Sequence, residues 1–229
     1  MERTIIKTAD GSHSLFVKHL NEHYHSIHGA IQESNHVFIN SGLKHILSQQ
    51  NRQLTILEIG FGTGLNALLT FIETYNLNIQ INFSALEAYP LNIELTNKLN
   101  YIDLLNTELN KSTMNLKTIF NQLHACEWDK PIEISDFFNI HKIKNTLQKI
   151  VFDKKFDLIY FDAFGPAIQP EMWTEEIFNK IAEATKPNGC LVTYCAKGEV
   201  KRTLKKVGFT IESLQGPPGK REMIRAIKN

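Results

Sequence analysis

The feature that most constrains the fold is a short apolar segment, Leu54–Ile59, that runs into a glycine-rich stretch and then into a segment of helical composition. A buried strand, a tight turn and a helix in that order form the first half of a βαβ unit. The alternating segment Ile79–Glu87 and the apolar segment Phe156–Phe161 are each also followed by a helical pattern. Strands that alternate with helices predict a parallel sheet with helices on both faces.

Both ends of the chain predict β-hairpins. Near the start, the turn Asp10-Gly11 separates Thr4–Thr8 from Ser14–Lys18, and Asp-Gly tolerates the positive φ of tight turns. At the end, Thr210–Leu214 and Glu222–Ile227 flank a Gly-Pro-Pro-Gly turn with no helix between them, so they are expected to pair antiparallel.

The remaining elements complete the alternation. Residues 19–35 are expected to form a loop or short helix before a helix around His36–Gln49. Helices are predicted over Asn66–Tyr75, Pro90–Leu99, 101–125, Phe137–Ile150, Trp173–Thr185 and Glu199–Val207, and short strands over Pro131–Ser135 and Cys190–Tyr194. This α/β pattern is typical of the Rossmann-like class I methyltransferases, which have a mostly parallel seven-stranded sheet ending in an antiparallel β-hairpin. We expect an N-terminal extension, residues 1–50, packed on a methyltransferase domain, residues 51–229, as one compact unit.

Composition excludes several classes of protein. With 229 residues, 42% hydrophobic and 21% charged, the chain is neither disordered nor collagen-like. The formal net charge is +1, yet Lys197–Asn229 carries nine Lys and Arg against three Asp and Glu. This basic end either steers a polyanion or forms an ordinary solvated helix face, and composition leaves both open.

Cysteine usage and hydropathy bear on location. Cys126, Cys190 and Cys195 form no CxxC pair and indicate a reducing compartment. The first residues lack the apolar core of a signal peptide, and no apolar run approaches the roughly 20 residues of a membrane span. We expect a cytoplasmic protein with no membrane partner.

The glycine-rich stretch Leu57–Asn66 is the strongest local signal of a ligand site. Its glycines let the backbone turn sharply and approach a ligand closely. The spacing is GxGxG, because Leu65 stands where the dinucleotide pattern GxGxxG has its third glycine, and this favours a smaller nucleoside ligand. A tight turn without a ligand is the alternative. The predicted cofactor-binding residues are Glu58, Gly60, Gly62, Thr63, Gly64 and Asn66.

Two acids at predicted strand ends extend this site. Glu87 follows Gly64 by 23 residues and can accept both hydroxyls of a ribose, unless it is only a surface residue at a strand end. Asp136 follows the strand Pro131–Ser135. It either accepts a hydrogen bond from an adenine amino group or caps the next helix.

Asp162 is the candidate catalytic residue. It follows the apolar strand Phe156–Phe161, and ligands of such sheets bind beyond the carboxyl ends of the strands. A carboxylate there must be hydrogen-bonded or exposed, and it can orient an amine and favour loss of its proton. Phe164 and Pro166 are expected to exclude water and shape a slot for a flat group, although a core role for the aromatic residue is also compatible.

The segment that contains His23, His25, His28 and His36 lacks the regular spacing and partner cysteine of a zinc site. No metal is therefore predicted. A lid that contains Tyr24 and faces the substrate is favoured instead.

Three long segments resemble the methyltransferase domain of the MnmC family, the tRNA 5-(aminomethyl)-2-thiouridine methyltransferases. They are LEIGFGTGLN, FDLIYFDAFGPAIQPEMWTEEIF and GFTIESLQGPPGKREMIRAI, and Glu33–Ile39 also matches. The DAF, MW and KREM elements together make the resemblance specific, and it extends over nearly the whole chain.

The resemblance implies S-adenosylmethionine as cofactor, without metal or flavin, held by the glycines and Glu87, with the reacting amine beside Asp162. It implies methylation of the aminomethyl group of a tRNA wobble uridine, giving 5-methylaminomethyl-2-thiouridine. Bifunctional members add a flavin-dependent oxidoreductase for which this chain has no room, so we expect a stand-alone enzyme whose precursor another enzyme supplies. The residues expected at the substrate and tRNA are Tyr24, Lys197, Lys201, Arg202, Lys220 and Arg221.

Two other functions remain open from the sequence. The segment Asp162–Pro166 is also similar to aminopropyltransferases of the spermidine synthase type, which handle a small amine at this strand end. The basic C-terminal end and KREM favour tRNA over such an amine. A non-catalytic tRNA-binding module is the other alternative, although the intact glycines, Glu87 and Asp162 argue against it.

Overall fold

A computed structural model of the chain describes residues 2–49, 53–108 and 115–229. Within them a large mixed sheet carries helices on both faces, and a small antiparallel sheet precedes it in the chain. The α/β fold and the N-terminal hairpin predicted from the sequence are confirmed. The predicted boundary between residues 50 and 51 lies outside the described residues.

The N-terminal segment forms a small sheet and then a long helix. The sheet consists of β1 (Arg3–Lys7), β2 (His13–Val17) and β3 (Glu22–His23) in that order. The helix runs without a break through α1 (Ala30–Ser34), a π-helical segment (Asn35–Leu43) and α2 (Lys44–Leu47). The wide turns are evident where the amide of Lys44 bonds to the carbonyl of Ile39.

The main sheet has eight strands among the described residues. They are β4 (Gln53–Ile59), β5 (Gln80–Leu86), β6 (Pro131–Ser135), β7 (Phe138–Ile143), β8 (Phe156–Phe161), β9 (Thr185–Thr193), β10 (Phe209–Gln215) and β11 (Glu222–Lys228). Their order is β10-β11-β9-β8-β4-β5-β7-β6. Strands β9, β8, β4, β5 and β7 are parallel, and β10, β11 and β6 are antiparallel to their neighbours. The carboxyl ends of the parallel strands therefore meet at one end of the sheet.

Helices cover both faces because the strands bury side chains on both sides. Leu54 and Ile56 of β4 belong to one core, and Leu57 and Ile59 belong to the other, as the alternation of a strand requires. The first core packs under the N-terminal helix, α3 (Leu65–Thr74), α4 (Ile93–Thr96), α5 (Tyr101–Glu108) and α6 (Leu116–Ala125). The second packs under α7 (Glu175–Ala184) and α8 (Gly198–Lys206). Within the described ranges, no helix is long and apolar enough to cross a membrane.

The largest difference from the sequence prediction is at Phe137–Ile150, which is not a helix. Its first half is β7, which pairs in parallel with β5 and antiparallel with β6. Phe138, Ile140 and Lys142 are buried in alternation with less buried neighbours, which is the period of a strand. Strand β6 is thus an additional edge strand, and the sheet has eight strands rather than the predicted seven.

Two other predicted helices differ in extent. Pro90–Leu99 is helical only over the single turn of α4, which Asn92 caps by accepting a hydrogen bond from the amide of Leu95 at 2.8 Å. The predicted helix over 101–125 corresponds to α5 and α6, and its part at residues 109–114 lies outside the described residues.

Gly42 lets the π-helical segment pack directly on the sheet. A Cβ at this position would lie 2.9 Å from Cγ2 of Val192 and 3.3 Å from Cδ1 of Leu158, and both of these side chains are fully buried. We expect Gly42→Ala to lower the free energy of unfolding by about 1–3 kcal/mol, because overpacking outweighs the gain of about 1 kcal/mol in helix propensity. Urea denaturation measures this difference.

Gly198→Ala is the matched control for this substitution. Gly198 is the exposed first residue of α8, and a Cβ there would meet only the flexible end of Arg202, at 3.2 Å. We expect this variant to be at least as stable as the wild type. Equal stability of the two alanine variants would contradict the close packing at Gly42.

Candidate active site

A ligand cavity lies at the carboxyl ends of β4, β5, β7 and β8, where parallel sheets of this kind bind their ligands. Its volume is about 600 Å³, within the range of sites for small organic ligands. The loops that follow these four strands form most of the wall. Residues of the N-terminal segment, Tyr194 after β9 and the β10–β11 turn form the rest.

The turn after β4 depends on glycines. Gly60 has a φ of +92°, and a Cβ on it would lie 2.8 Å from the carbonyl oxygen of Asp162. Gly64 has a φ of +71° and caps the N-terminus of α3. L-residues with side chains rarely adopt such backbone angles, so other residues would push this turn away from β8 and from the cavity.

Two histidines hold Thr63 in the same turn. The Nε2 atom of His25 lies 2.7 Å from Oγ1 of Thr63, and Nε2 of His124 donates to the Thr63 carbonyl at 3.0 Å. Burial lowers the pKa of each imidazole to about 4, so both are neutral at physiological pH. The sequence analysis assigned no such role to either residue.

Glu87 is fixed at the cavity wall by two backbone amides. Its Oε2 accepts from the amide of Gly62 at 2.9 Å, and its Oε1 accepts from the amide of Tyr89 at 2.8 Å. A carboxylate has about four acceptor positions, so it can still accept hydroxyl groups of a ligand. The geometry therefore fits the ribose contact predicted for Glu87.

Asp136 was predicted to approach an adenine or to cap a helix, and both predictions are wrong. It lies in the turn between β6 and β7, at the amino end of β7 and so at the opposite end of the sheet from the cavity. A strand rather than a helix follows it. The carboxyl end of β7 instead leads to Asn145 and Thr146, which line the cavity. The error follows directly from reading β7 as a helix.

Three further predicted site residues lie outside the set of described residues that line the cavity. Glu58 is buried within β4, Gly64 faces His124, and Pro166 follows the lining residues Phe164 and Gly165 in the chain. Burial raises the pKa of Glu58 well above its usual range, and the neighbouring charge of Asp162 adds to this. The predicted residues that do line the cavity are Tyr24, Gly60, Gly62, Thr63, Asn66, Glu87, Asp162, Phe164 and Lys220.

Asp162 lies at the end of β8 beside the start of α3. Its Oδ2 accepts from Nδ2 of Asn66 at 2.9 Å. Burial raises the pKa of Asp162 to about 7, the negative charge of Glu33 adds to the increase, and Asn66 and Lys220 oppose it. A carboxyl group with this pKa exchanges a proton readily at neutral pH.

Glu33, Lys220 and Tyr194 line the cavity together, and the sequence analysis missed two of them. Glu33 forms an ion pair with Lys220, whose Nζ lies 4.1 Å from the centre of the Tyr194 ring. The Tyr194 hydroxyl donates to the carbonyl of Ala163 at 2.8 Å. Glu33 lies in a segment that the resemblance covers, but nothing in its local sequence distinguishes it from a solvated helix residue.

Tyr24 lies where the sequence predicts it, at the cavity. Its hydroxyl accepts from Nε of Arg3 at 2.9 Å, and its ring meets the edge of Phe164 with 5.4 Å between centroids. A Cβ on Gly62 would lie 3.1 Å from Cδ1 of Tyr24, so the ring covers the glycine turn. Its role as a lid stays a prediction.

The residues predicted to contact tRNA are separated in the structure. Lys197, Arg202 and Arg221 are exposed and lie outside the described residues that line the cavity. Lys201 is held by Glu222 at 2.6 Å. Of the five basic residues in this set, Lys220 is the one that lines the cavity.

His28 and His36, two of the histidines considered as metal ligands, contact different parts of the chain. The ring of His28 lies against Gly219, and His36 donates to the carbonyl of Gln215 at 2.8 Å. The part of the chain that the structure describes contains no group of three or more His, Cys, Asp or Glu side chains that could hold a metal ion.

Comparison with known proteins gives clear sequence matches. Residues 121–229 match the model of a family of S-adenosyl-L-methionine-dependent methyltransferases. The tRNA 5-methylaminomethyl-2-thiouridine biosynthesis bifunctional protein MnmC of Campylobacter hominis is 31% identical over 94% of this chain, and that of Burkholderia multivorans is 29% identical over 88%. The chain spans 31% of the length of either relative.

Solved structures with the same fold include MnmC2 from Aquifex aeolicus. It has a TM-score of 0.73 and 22% identity, with 98% of this chain and 69% of that chain covered. The spermidine synthase of Thermotoga maritima has a TM-score of 0.54 and 14% identity, with 100% and 72% covered. At these identities the likeness concerns the fold alone.

The residues of the cavity fit S-adenosylmethionine. Glu87 presents a carboxylate to hydroxyl groups at the cavity wall. The glycine turn allows close approach of a nucleoside. The chain is thus similar over its C-terminal part to a family of S-adenosyl-L-methionine-dependent methyltransferases, and over most of its length to one part of the bifunctional MnmC proteins.

Proposed function

We propose that this chain transfers a methyl group to the primary amine of 5-aminomethyl-2-thiouridine at the wobble position of tRNA, giving 5-methylaminomethyl-2-thiouridine. The observation that carries the proposal is the pair of carboxyl groups, Asp162 and Glu33, in an aromatic-walled cavity that continues into the glycine turn. This arrangement suits an amine that reacts beside a nucleoside cofactor. The nucleoside and its RNA are those for which the sequence relatives are named.

The chain's own residues account for cofactor binding. When bound, S-adenosylmethionine supplies a methyl group on a positively charged sulfur, which a neutral amine can attack. Glu87 would hold the ribose, and the turn Gly60–Gly64 would lie along the nucleoside. Asn66 orients Asp162 by donating its Nδ2 to the Asp162 carboxylate.

Asp162 serves the amine in two ways. Its carboxylate positions the nitrogen through a hydrogen bond, and it accepts the proton that the nitrogen must lose. A pKa of about 7 suits this task, because the group is partly ionised at neutral pH and still binds a proton well. Phe164 and Tyr24 cover the site and exclude water from the amine.

The proposal also includes how the tRNA is bound and where its aminomethyl nucleoside comes from. Unstacked bases of single-stranded loops are the readable part of RNA, and a wobble base is such a base. The exposed Lys197, Arg202 and Arg221 are available to its phosphates. A separate enzyme would supply the aminomethyl precursor, and the cytoplasm would be the place of action.

The direct test is methyl transfer from labelled S-adenosylmethionine to tRNA that carries 5-aminomethyl-2-thiouridine. We expect nucleoside mass analysis to show the gain of one methyl group at that nucleoside. Putrescine is assayed in parallel with decarboxylated S-adenosylmethionine, because aminopropyl transfer is the other amine reaction suggested by the sequence. Transfer to putrescine alone would replace the proposal, and cofactor binding without transfer to either would exclude both.

Glu87→Gln tests the ribose contact. We expect the affinity for S-adenosylmethionine to fall roughly 10- to 100-fold, because hydrogen bonds to a charged group contribute about 1.5–3 kcal/mol. Isothermal titration calorimetry measures it. Glu94→Gln, on the exposed surface of α4, is the control and should bind as the wild type does. Equal affinity in both variants would remove Glu87 from the cofactor site.

Asp162→Asn separates positioning from proton acceptance. Asparagine can still form a hydrogen bond but takes up no proton, so we expect kcat to fall by about 10²-fold or more. The wild-type rate should rise with pH towards about 7 as this carboxyl ionises, and the asparagine variant should lose that limb. Rapid-quench turnover across pH 5–9 measures both. Full turnover by the asparagine variant would refute proton acceptance, and unchanged cofactor affinity shows that the fold is intact.

A further inference from the structure

An ammonium group already lies in the ligand cavity, and it belongs to Lys220. Its Nζ is paired with the carboxylate of Glu33 and lies 4.1 Å from the centre of the Tyr194 ring. A carboxylate on one side and an aromatic face on the other form a binding site for an alkylammonium ion. We call Glu33 and Tyr194 the ammonium cage.

The cage is built rigidly from separate elements. Glu33 is in α1 with its side chain only 8% exposed, and its Oε2 also accepts from the amide of Ser26 at 2.7 Å. Tyr194 follows β9, and its hydroxyl bond to the carbonyl of Ala163 fixes the orientation of its ring. Both side chains therefore keep their positions whether or not Lys220 is between them.

Lys220 is held less firmly than the cage. It lies in the β10–β11 turn, next to the exposed Gly219 and Arg221, and its side chain is 33% exposed. A lysine side chain has a flexible four-carbon stem, so its ammonium can leave the cavity without movement of the sheet. Lys220 is thus the replaceable part of the pair.

The cage opens onto the site of the proposed reaction. Glu33, Tyr194, Lys220 and Asp162 line the same cavity. The charges of Glu33 and Lys220 act on Asp162 in opposite directions, which indicates that the three groups are electrostatically close. A primary amine in the position of the Lys220 ammonium would lie within the field of both carboxylates.

We propose that the cage is the binding site for the primary ammonium group of the substrate, and that Lys220 is a resident ammonium that the substrate displaces. The proposal rests on the proposed function, since it names the contact that selects an aminomethyl nucleoside. The aminomethyl group enters as a cation at Glu33, and Asp162 then receives its proton. The displaced Lys220 becomes available to an RNA phosphate.

The first experiment uses methylammonium chloride as a probe and thermal unfolding as the readout. Lys220→Met retains the stem but removes the resident ammonium. We expect millimolar methylammonium to raise the unfolding temperature of this variant saturably, since a ligand of the native state stabilises it. The wild type, whose cage is occupied, and the double variant Glu33→Gln/Lys220→Met should not respond.

The second experiment measures discrimination between two tRNAs in the presence of S-adenosylhomocysteine. One carries 5-aminomethyl-2-thiouridine at the wobble position, and the other carries 2-thiouridine. We expect the wild type to prefer the first by about tenfold, Lys220→Met to increase that ratio, and Glu33→Gln to abolish it. Because a ratio is compared, any loss of phosphate contacts in Lys220→Met cancels.

The surface ion pair between Lys206 and Glu175, at 2.6 Å, supplies the matched controls Lys206→Met and Glu175→Gln, which should behave as the wild type. A methylammonium response that persists in the double variant, or a preference that survives Glu33→Gln, would overturn the proposal. Methylammonium binding in the cage without methyl transfer to any tRNA would refute the proposed function and leave the cage standing.

Discussion

The site depends above all on the removal of water from carboxyl groups at one end of a parallel sheet. Glu58 lies one residue before the end of β4, and Asp162 directly follows the adjacent strand β8. Glu33 reaches the same region from the N-terminal helix. Burial raises the pKa of Glu58 and of Asp162, because a charged form loses hydration that the protein does not fully replace. The glycine turn makes this burial possible, since only a backbone without Cβ atoms approaches Asp162 so closely.

The N-terminal extension is a working part of the site. His25 supports the glycine turn through Thr63, Tyr24 covers it, and Glu33 supplies the second carboxylate. At the far end of the chain, the β10–β11 turn contributes Lys220 to the same cavity. The sheet thus provides the strand ends at the base of the cavity, while segments near both ends of the chain enclose the rest of it. The cavity does not follow the predicted division into an N-terminal extension and a methyltransferase domain, because residues from both parts line it.

Sequence reasoning predicted the parts of the site that depend on local patterns. Gly60, Glu87 and Asp162 follow apolar strands, and a strand end in a parallel sheet has a known position. It failed at Asp136, because the alternation of β7 is short and its buried Lys142 reads as a polar residue of a helix. It also missed Glu33 and Tyr194. Their importance comes from contacts between residues far apart in the chain, and no local spacing encodes such contacts.

The raised pKa of Asp162 makes the stability of the folded protein depend on pH, and it also bears on the charge of the ligand that the cavity favours. The folded protein holds the proton of Asp162 up to about pH 7, whereas the unfolded chain releases it near 3.8, the ordinary pKa of an aspartic acid. The folded state therefore binds more protons across that window, and this group lowers stability progressively as pH rises from about 4 to about 7. Above about pH 7, the loss of stability that comes from ionising Asp162 is complete in the ligand-free protein.

A cation near Asp162 offsets this loss of stability, because it favours the ionised carboxylate. Lys220 already acts in this direction in the ligand-free protein. In the proposed reaction, a methyl donor on a positive sulfur and an acceptor that arrives as an ammonium ion would both favour the ionised carboxylate in the same way. The buried carboxyl groups that destabilise the ligand-free protein therefore favour cationic ligands over neutral or anionic ones. If the chain has the proposed function, that selectivity would let a protein with almost no net charge bind two positively charged groups in one cavity while its exposed basic residues contact a polyanion.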